Sequence, residues 1–327
     1  MTELAATAAT RWLPRHPPDP AQAERLLAEA GGLAAVIDRA LGAYLGLALG
    51  DALGATVEFM TPREIALRFG IHNRIQGGGW LRLKSGQVTD DTTMSLALGD
   101  ALCRSSTPEA HDLQAIAEAF LAWWRARPVD CGNTCRRGIL RYRHDGTLAG
   151  PPSDSDGGNG AAMRVLPAAL ATLGDASGFA ALALGQARIT HHHPLSESAT
   201  LQLGALVQAA VLGLPRAGLH ARIEAWVARQ PEFSFEPYPG RAGGYIVDTV
   251  QTVLHAFTRQ ADFAQAVIDA VNRGEDADTT GALVGMLAGA CCGASGLPRD
   301  WLARLQADTR HAVCDQASAL VAHALRS

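Results

Sequence analysis

The chain has 327 residues, 48% hydrophobic and 18% charged, which is enough apolar material for one large core or two small ones. A net charge of −4 with no basic stripe excludes a nucleic-acid footprint. Abundant Ala and Leu, 34 Gly, four Tyr and eight Phe favour closely packed helices over strands. The six cysteines (Cys103, Cys131, Cys135, Cys291, Cys292, Cys314) form no C-x-x-C pair and no zinc-type spacing. Cys291 and Cys292 are expected as free, buried thiols. The N-terminus lacks the apolar core of a secretory signal, and no uncharged apolar stretch of about 18 residues suggests a membrane span. The expectation is a reduced, cytoplasmic protein.

Residues 1–36 differ from the rest. Pro14, Pro17, Pro18 and Pro20 interrupt regular structure, so this is expected as a partly disordered extension with one short helix over 21–30. The domain proper is expected over 37–327. It opens with a helix over 37–53 whose Gly42, Gly46 and Gly50 share one face and permit close helix packing. Glu58 is an isolated carboxylate among apolar neighbours, open to a salt bridge with Arg63 or Arg68. Gly77-Gly78-Gly79 marks either a loop that approaches a ligand or a surface turn. A helix over 115–126 places Phe120, Trp123 and Trp124 in the core, and the polar stretch 128–138 turns and then becomes helical. The loop 151–160 feeds a helix start at 161–164, a pattern that suits an anion. His191-His192-His193 has the wrong spacing for one helical face and precedes Pro194, so one of them is expected in a ligand pocket rather than all three on a metal. Further helices are expected from 179 to 190, from a start within 243–249 through 257, over 264–272 and from 298 to 325. No alternating strand pattern appears, so the fold is expected to be all-α.

Two acidic stretches stand out, Thr89-Asp90-Asp91-Thr92-Thr93 and Asp276-Ala277-Asp278-Thr279-Thr280. Each leads a run of small and apolar residues that reads as a buried helix. Both therefore sit at helix N-termini, where N-capping is the plain alternative. The same D-T-T lettering twice, each before a helix too apolar for the surface, calls for more. Buried carboxylates need a counter-charge, and neither stretch has a nearby Lys. If the two ends meet, all-oxygen ligands select Mg2+ or Mn2+ over zinc. Two ions about 4 Å apart would be the spacing of binuclear hydrolases.

Several stretches together resemble the ADP-ribosylglycohydrolase family from about residue 37 to the C-terminus. They are Gly50-Asp51-Ala52-Leu53-Gly54-Ala55-Thr56-Val57-Glu58-Phe59-Met60, Gly77-Gly78-Gly79-Trp80, Thr89-Asp90-Asp91-Thr92, the run 127–138, Gly158-Asn159-Gly160-Ala161-Ala162-Met163-Arg164, Ala187-Arg188-Ile189-Thr190-His191, Tyr245-Ile246-Val247-Asp248-Thr249 and Asp276-Ala277-Asp278-Thr279-Thr280-Gly281. The 130–138 part is specific to a nitrogenase-directed subgroup.

The resemblance implies a single compact, orthogonal multi-helix domain and a binuclear Mg2+ or Mn2+ centre. Thr89, Asp90, Asp91, Asp276, Asp278 and Thr279 match its ligands. It implies hydrolysis of the N-glycosidic bond between ADP-ribose and an arginine of the nitrogenase iron protein, dinitrogenase reductase. Glu58, Asp130 and Asp91 match catalytic positions, with Glu58 beside the ribose and Asp130 against the guanidinium. Asn159, Gly160, Ala161, Ala162 and Met163 would follow the diphosphate, and Asn133, Asp156, His191 and Tyr245 would line the substrate cleft. A PII signalling protein and a membrane ammonium channel are implied regulators, the latter recruiting the enzyme to the inner membrane. A monomer is the default. Glu275 departs from the subgroup's usual Gly, His192 from its usual Asn, and residues 1–36 have no counterpart. The rival expectations are hydrolysis of O-linked ADP-ribose on serine or an acetyl ester, and a non-catalytic ADP-ribose binder. Retention of all six ligand positions weighs against the binder.

Overall fold

The computed structural model describes residues 11–104 and 110–325. Fifteen α-helices run through them: α1 (Pro20–Glu29), α2 (Leu33–Gly54), α3 (Pro62–Phe69), α4 (Asp90–Cys103), α5 (Leu113–Arg125), α6 (Asn133–Asp145), α7 (Leu166–Ala171), α8 (Ala176–Arg188), α9 (Pro194–Val211), α10 (Arg216–Arg229), α11 (Ile246–Arg259), α12 (Phe263–Val271), α13 (Ala277–Cys292), α14 (Arg299–Arg304) and α15 (Ala307–Leu325). The fold is all-α, as expected. Its one sheet among the described residues pairs β1 (Trp12–Pro14) with β2 (Ala110–Asp112), antiparallel and too short to show as an alternating pattern. Helix starts follow local chemistry. Asp19, Thr61, Asp112, Asp175 and Asp262 each accept a backbone N–H from the first turn of the helix they precede.

The core is organised by α2 against α13. Gly42, Gly46, Gly50 and Gly54 face Gly289, Gly285, Gly281 and Ala277 in turn, so the two helices run antiparallel. A Cβ on Gly46 would lie 2.1 Å from the Gly285 carbonyl oxygen, and one on Gly50 2.0 Å from that of Gly281. The glycine spacing announced a close contact; its partner is a helix more than two hundred residues on. By length and composition α2 is apolar enough to cross a membrane. Here α13, α15, α9 and α4 pack against it, and every residue from Gly42 to Gly54 is buried.

That register sets the site. It places the start of α13, with the second acidic stretch, against the end of α2, where the chain leads on to Glu58. Gly274 allows the two segments to touch: Phe59 N donates to Glu275 O at 2.7 Å and Glu275 N to Met60 O at 2.9 Å. Both Phe59 and Glu275 hold positive φ there, +62° and +53°, a strained conformation for side-chain-bearing residues.

Residues 11–32 are built into the fold. Arg11 forks onto Asp112, Leu13 is buried, His16 N donates to Asp175 and α1 forms as expected. The helix expected to open the domain at 37 starts at Leu33. Residues 1–10 of the expected extension lie outside the described residues. The helix start expected at 161–164 is instead a turn, and α7 begins at Leu166. The Gly160 carbonyl, which a helix would give to the Arg164 N–H, accepts the Arg164 guanidinium at 2.7 Å.

Candidate metal centre and cleft

Thr89 and Asp276 are the N-cap residues of α4 and α13, and neither side chain caps its own helix. The capping of α4 falls to Asp51 on α2, which is fully buried. Asp51 accepts hydrogen bonds from Thr89 N (2.9 Å), Thr89 Oγ1 (3.0 Å), Thr92 N (3.1 Å) and Thr92 Oγ1 (2.5 Å). The first acidic stretch is thereby pinned beside the α2–α13 seam, and Asp90 and Asp91 are left for other work. Asp51 stands alone in the apolar run Leu49-Gly50-Asp51-Ala52-Leu53, and that isolation is the one local signal of a buried structural carboxylate.

The two stretches meet. Thr279 Oγ1 donates to Asp91 Oδ2 at 3.2 Å, and Thr89 Oγ1 lies 3.4 Å from the same oxygen and 3.3 Å from Asp278 Oδ2. Asp91 Oδ1 is buried and accepts no hydrogen bond. Glu58, Asp130 and Asp278 each bring a carboxylate oxygen within 4.8 Å of the other two. Glu58 takes its hydrogen bond from Trp80 Nε1 (2.6 Å), rather than an ion pair with Arg63 or Arg68. Asp90 Oδ2 accepts from Gly132 N (3.2 Å), which ties α4 to the loop carrying Asp130.

Burial, and then the neighbouring carboxylates, penalise the charged forms. Glu58 is pushed up to about 8 and Asp90 to about 7, Asp91 and Asp278 are held well above the carboxylate range, and Asp130 is raised. An orphaned buried carboxylate oxygen among all-oxygen donors fits a hard divalent cation. The acidic cluster could hold a metal ion.

Two expected results follow. Without a cation these groups bind more protons folded than unfolded. Stability is then full below the unfolded carboxylate range of about 4 and falls as pH rises through the folded values, which reach about 8 at Glu58. The melting temperature of the chelated protein should drop by several degrees between pH 5 and pH 8, and Mn2+ should flatten that slope. A chelated protein that gains stability over this interval would contradict the cluster's burial. Separately, Asp51→Ala leaves Thr89 N, Thr92 N and Thr92 Oγ1 without their acceptor inside the core, a loss of about 3 kcal/mol or more. Denaturant unfolding should show it even with metal absent.

A cleft of about 770 Å3 opens over the carboxylates. Glu58, Asp90, Asp130, Asn133, Asn159, Gly160, Met163, His191, Asp276, Asp278 and Thr279 line it. Thr89 and Asp91 are buried and contribute through the hydrogen bonds above rather than to its lining. Asn159 donates to Asp276 Oδ2 (2.6 Å) and Thr249 Oγ1 (2.9 Å), so its amide orients a carboxylate as well as facing the cleft. Ala161 and Ala162 are fully buried and do not line the cleft. Asp156 is not brought to it either: its carboxylate holds Arg137 and the His192 N–H. Tyr245 is 46% exposed and packs beside Gly157, where a Cβ would lie 2.9 Å from the ring.

The three histidines divide. His191 faces the cleft, its Nδ1 2.7 Å from Thr190 Oγ1, and burial drives it well below its ordinary pKa. His192 bonds Gly150 O, and His193 caps α9. Arg164, the last residue of the Gly158–Arg164 stretch, is a fully buried cation whose bracing role that stretch did not disclose. It binds Gly160 O, Gln186 and Thr190 Oγ1 and stacks on Phe120, bracing the turn and the His191 segment together.

A buried acidic centre at the joined ends of two helices, under a cleft in an all-α fold, has the donor set of a metal-dependent enzyme, and the chain belongs to the ADP-ribosylglycohydrolase family, whose profile matches residues 33–326. It is 54% identical over 287 residues to an ADP-ribosyl-[dinitrogen reductase] glycohydrolase of Rhodospirillum rubrum, covering 88% of this chain and 97% of that one. It is 32% identical over 284 residues to an ADP-ribosylarginine hydrolase, Tri1, of Pseudomonas putida strain GB-1, covering 82% and 74%. Among solved structures it resembles an ADP-ribosylglycohydrolase-related protein complex, with a TM-score of 0.78, 34% identity and coverage of 89% and 100%.

Proposed function

We infer that this protein hydrolyses the N-glycosidic bond between ADP-ribose and an arginine side chain of dinitrogenase reductase, restoring that protein's activity. The observation that carries the reading is the convergence of Glu58, Asp130 and Asp278 at the cleft floor. It sits in a chain 54% identical to an enzyme named for this reaction.

Asp130, half-exposed beside the buried cluster, is placed to receive the guanidinium and keep it protonated as it leaves. Positive charge develops on the ribose ring as the bond breaks. Glu58, held by Trp80, positions the ribose or moves a proton at its free Oε1. Gly160, Met163 and His191 shape the wall that takes the diphosphate and nucleoside. Thr89, Asp90, Asp91, Asp276, Asp278 and Thr279 would hold two Mg2+ or Mn2+ ions. When bound, these would supply Lewis-acid charge and lower the pKa of a water.

We place the enzyme as a cytoplasmic monomer, under control of a PII protein and recruited to the inner membrane by an ammonium channel. Release of ADP-ribose from arginine-modified iron protein, with Mn2+, with Mg2+ and with chelator, tests the reading. Metal-dependent release supports it. Release from serine-linked or acetyl-ester substrates alone would move the assignment to O-linked ADP-ribose. Tight ADP-ribose binding without hydrolysis would make the protein a binder.

A further inference from the structure

A side groove leaves the cleft at Asp130. Trp124, Arg125, Arg127, Pro128 and Val129 line it, while Asp130 and Cys131 belong to groove and cleft alike. Its volume is about 490 Å3, room for two or three side chains. One part is apolar, with Val129 43% exposed beside half-buried Trp124 and Pro128. The outer part is basic. Arg125 and Arg127 are exposed, and the Arg143 guanidinium lies 5.3 Å from the Trp124 ring centre. Arg127 holds φ +58° where α5 ends, a strained position that turns the chain into the segment carrying Asp130.

Charge therefore runs from acidic inside (Glu58, Asp90, Asp130, Asp278) to basic outside along one continuous surface. A free guanidinium-bearing small molecule needs only the inner end. A polypeptide needs more, because an arginine inserted toward Asp130 leaves its own backbone and its neighbours over the groove. We propose that this groove is a polypeptide subsite for the residues flanking the modified arginine, taking an apolar side chain against Trp124 and Val129 and an acidic one at Arg125 and Arg127. This rests on the reading that the substrate is an ADP-ribosylated arginine in a protein. Two exposed guanidinium groups facing one acidic side chain support discrimination of roughly tenfold.

The test uses the full chain with Mn2+ and three probes: ADP-ribosyl-agmatine, an arginine-ADP-ribosylated peptide flanked by Glu, and the same peptide flanked by Lys. The wild type is expected to prefer the Glu-flanked peptide by roughly tenfold in kcat/KM, mostly through KM. Arg125→Ala/Arg127→Ala should erase that preference and Arg125→Glu/Arg127→Glu reverse it. ADP-ribosyl-agmatine should be cleaved equally by all three proteins. Retention of the wild-type preference in the charge-reversed protein overturns the proposal. So does a parallel loss on peptides and agmatine, which would make the arginines structural. Failure of the wild type on every probe overturns the functional reading itself, and the subsite with it.

Discussion

Asp278→Asn is expected to abolish metal-dependent hydrolysis and, in the same protein, to raise the melting temperature of the chelated form. Asp278 is 2% exposed, and burial followed by Glu58, Asp91, Asp276 and Asp51 drives its proton affinity up. In the absence of a cation its charge opposes folding. The amide keeps the shape: its oxygen, in the place of Oδ1, still accepts from Thr279 N, and its NH2, in the place of Oδ2, donates to Thr89 Oγ1, whose hydroxyl now donates to the carboxylate. Removing the charge relieves repulsion in the metal-free state and deletes a ligand from the loaded one. Turnover should fall on the order of 10^3-fold or more, because the stabilisation lost acts where charge develops. Isothermal titration with Mn2+, ADP-ribose release and melting in chelator read the three effects separately. A lower chelated melting temperature with Mn2+ binding intact would make Asp278 a structural residue. Asp130→Ala is the complement: turnover lost, metal content normal. Loss of both together would reassign Asp130 to the framework.

Gly50→Val is expected to prevent folding. A Cβ at Gly50 would lie 2.0 Å from the Gly281 carbonyl oxygen, 2.3 Å from its carbon and 2.8 Å from Ala282 N. All three are backbone atoms of a buried helix, so no rotamer change can make room. Over-packing a core usually costs about 1–3 kcal/mol; against backbone on both sides the cost should exceed about 4 kcal/mol. Insoluble expression, or loss of the cooperative unfolding transition, would show it. Gly132→Ala is the control, since nothing lies within 4 Å of a Cβ there; its stability should change by less than about 0.5 kcal/mol. A soluble Gly50→Val protein with a normal transition would mean that the α2–α13 seam is looser than its geometry.

Asp51 and Asp278 show how far a sequence carries. Both are buried and burial raises the proton affinity of both, but Asp51 is surrounded by hydrogen-bond donors whereas Asp278 faces other carboxylates. Asp278 repeats the lettering of the Thr89 stretch, and that repetition identified it. Asp51 repeats nothing. Its value lies in four donors from residues about forty positions away, which local pattern does not record. Trp80 on Glu58, and Arg164 on Gln186 and Thr190 under the cleft, are the same kind of long-range contact. A turn occupies 161–164, where the loop 151–160 leads to the expectation of a helix start. The Arg164 side chain captures the carbonyl that a helix would have used.

By itself the sequence determined the all-α class, the positions of most helices, the glycine face of α2 and the two acidic stretches as matching sets of candidate ligands. Each follows from chemistry within a few turns of chain: side-chain propensity, glycine spacing, and carboxylates at helix starts. Only the tertiary structure decided which helix the glycine face meets, and hence that Glu58, Asp51 and both acidic stretches share one point. It also decided that Asp156 serves Arg137 instead of the cleft, and that the last turn of α5 opens a basic groove beside Asp130. Those outcomes depend on backbone contact between segments far apart in the chain, and the residues of one segment do not specify the register of the other.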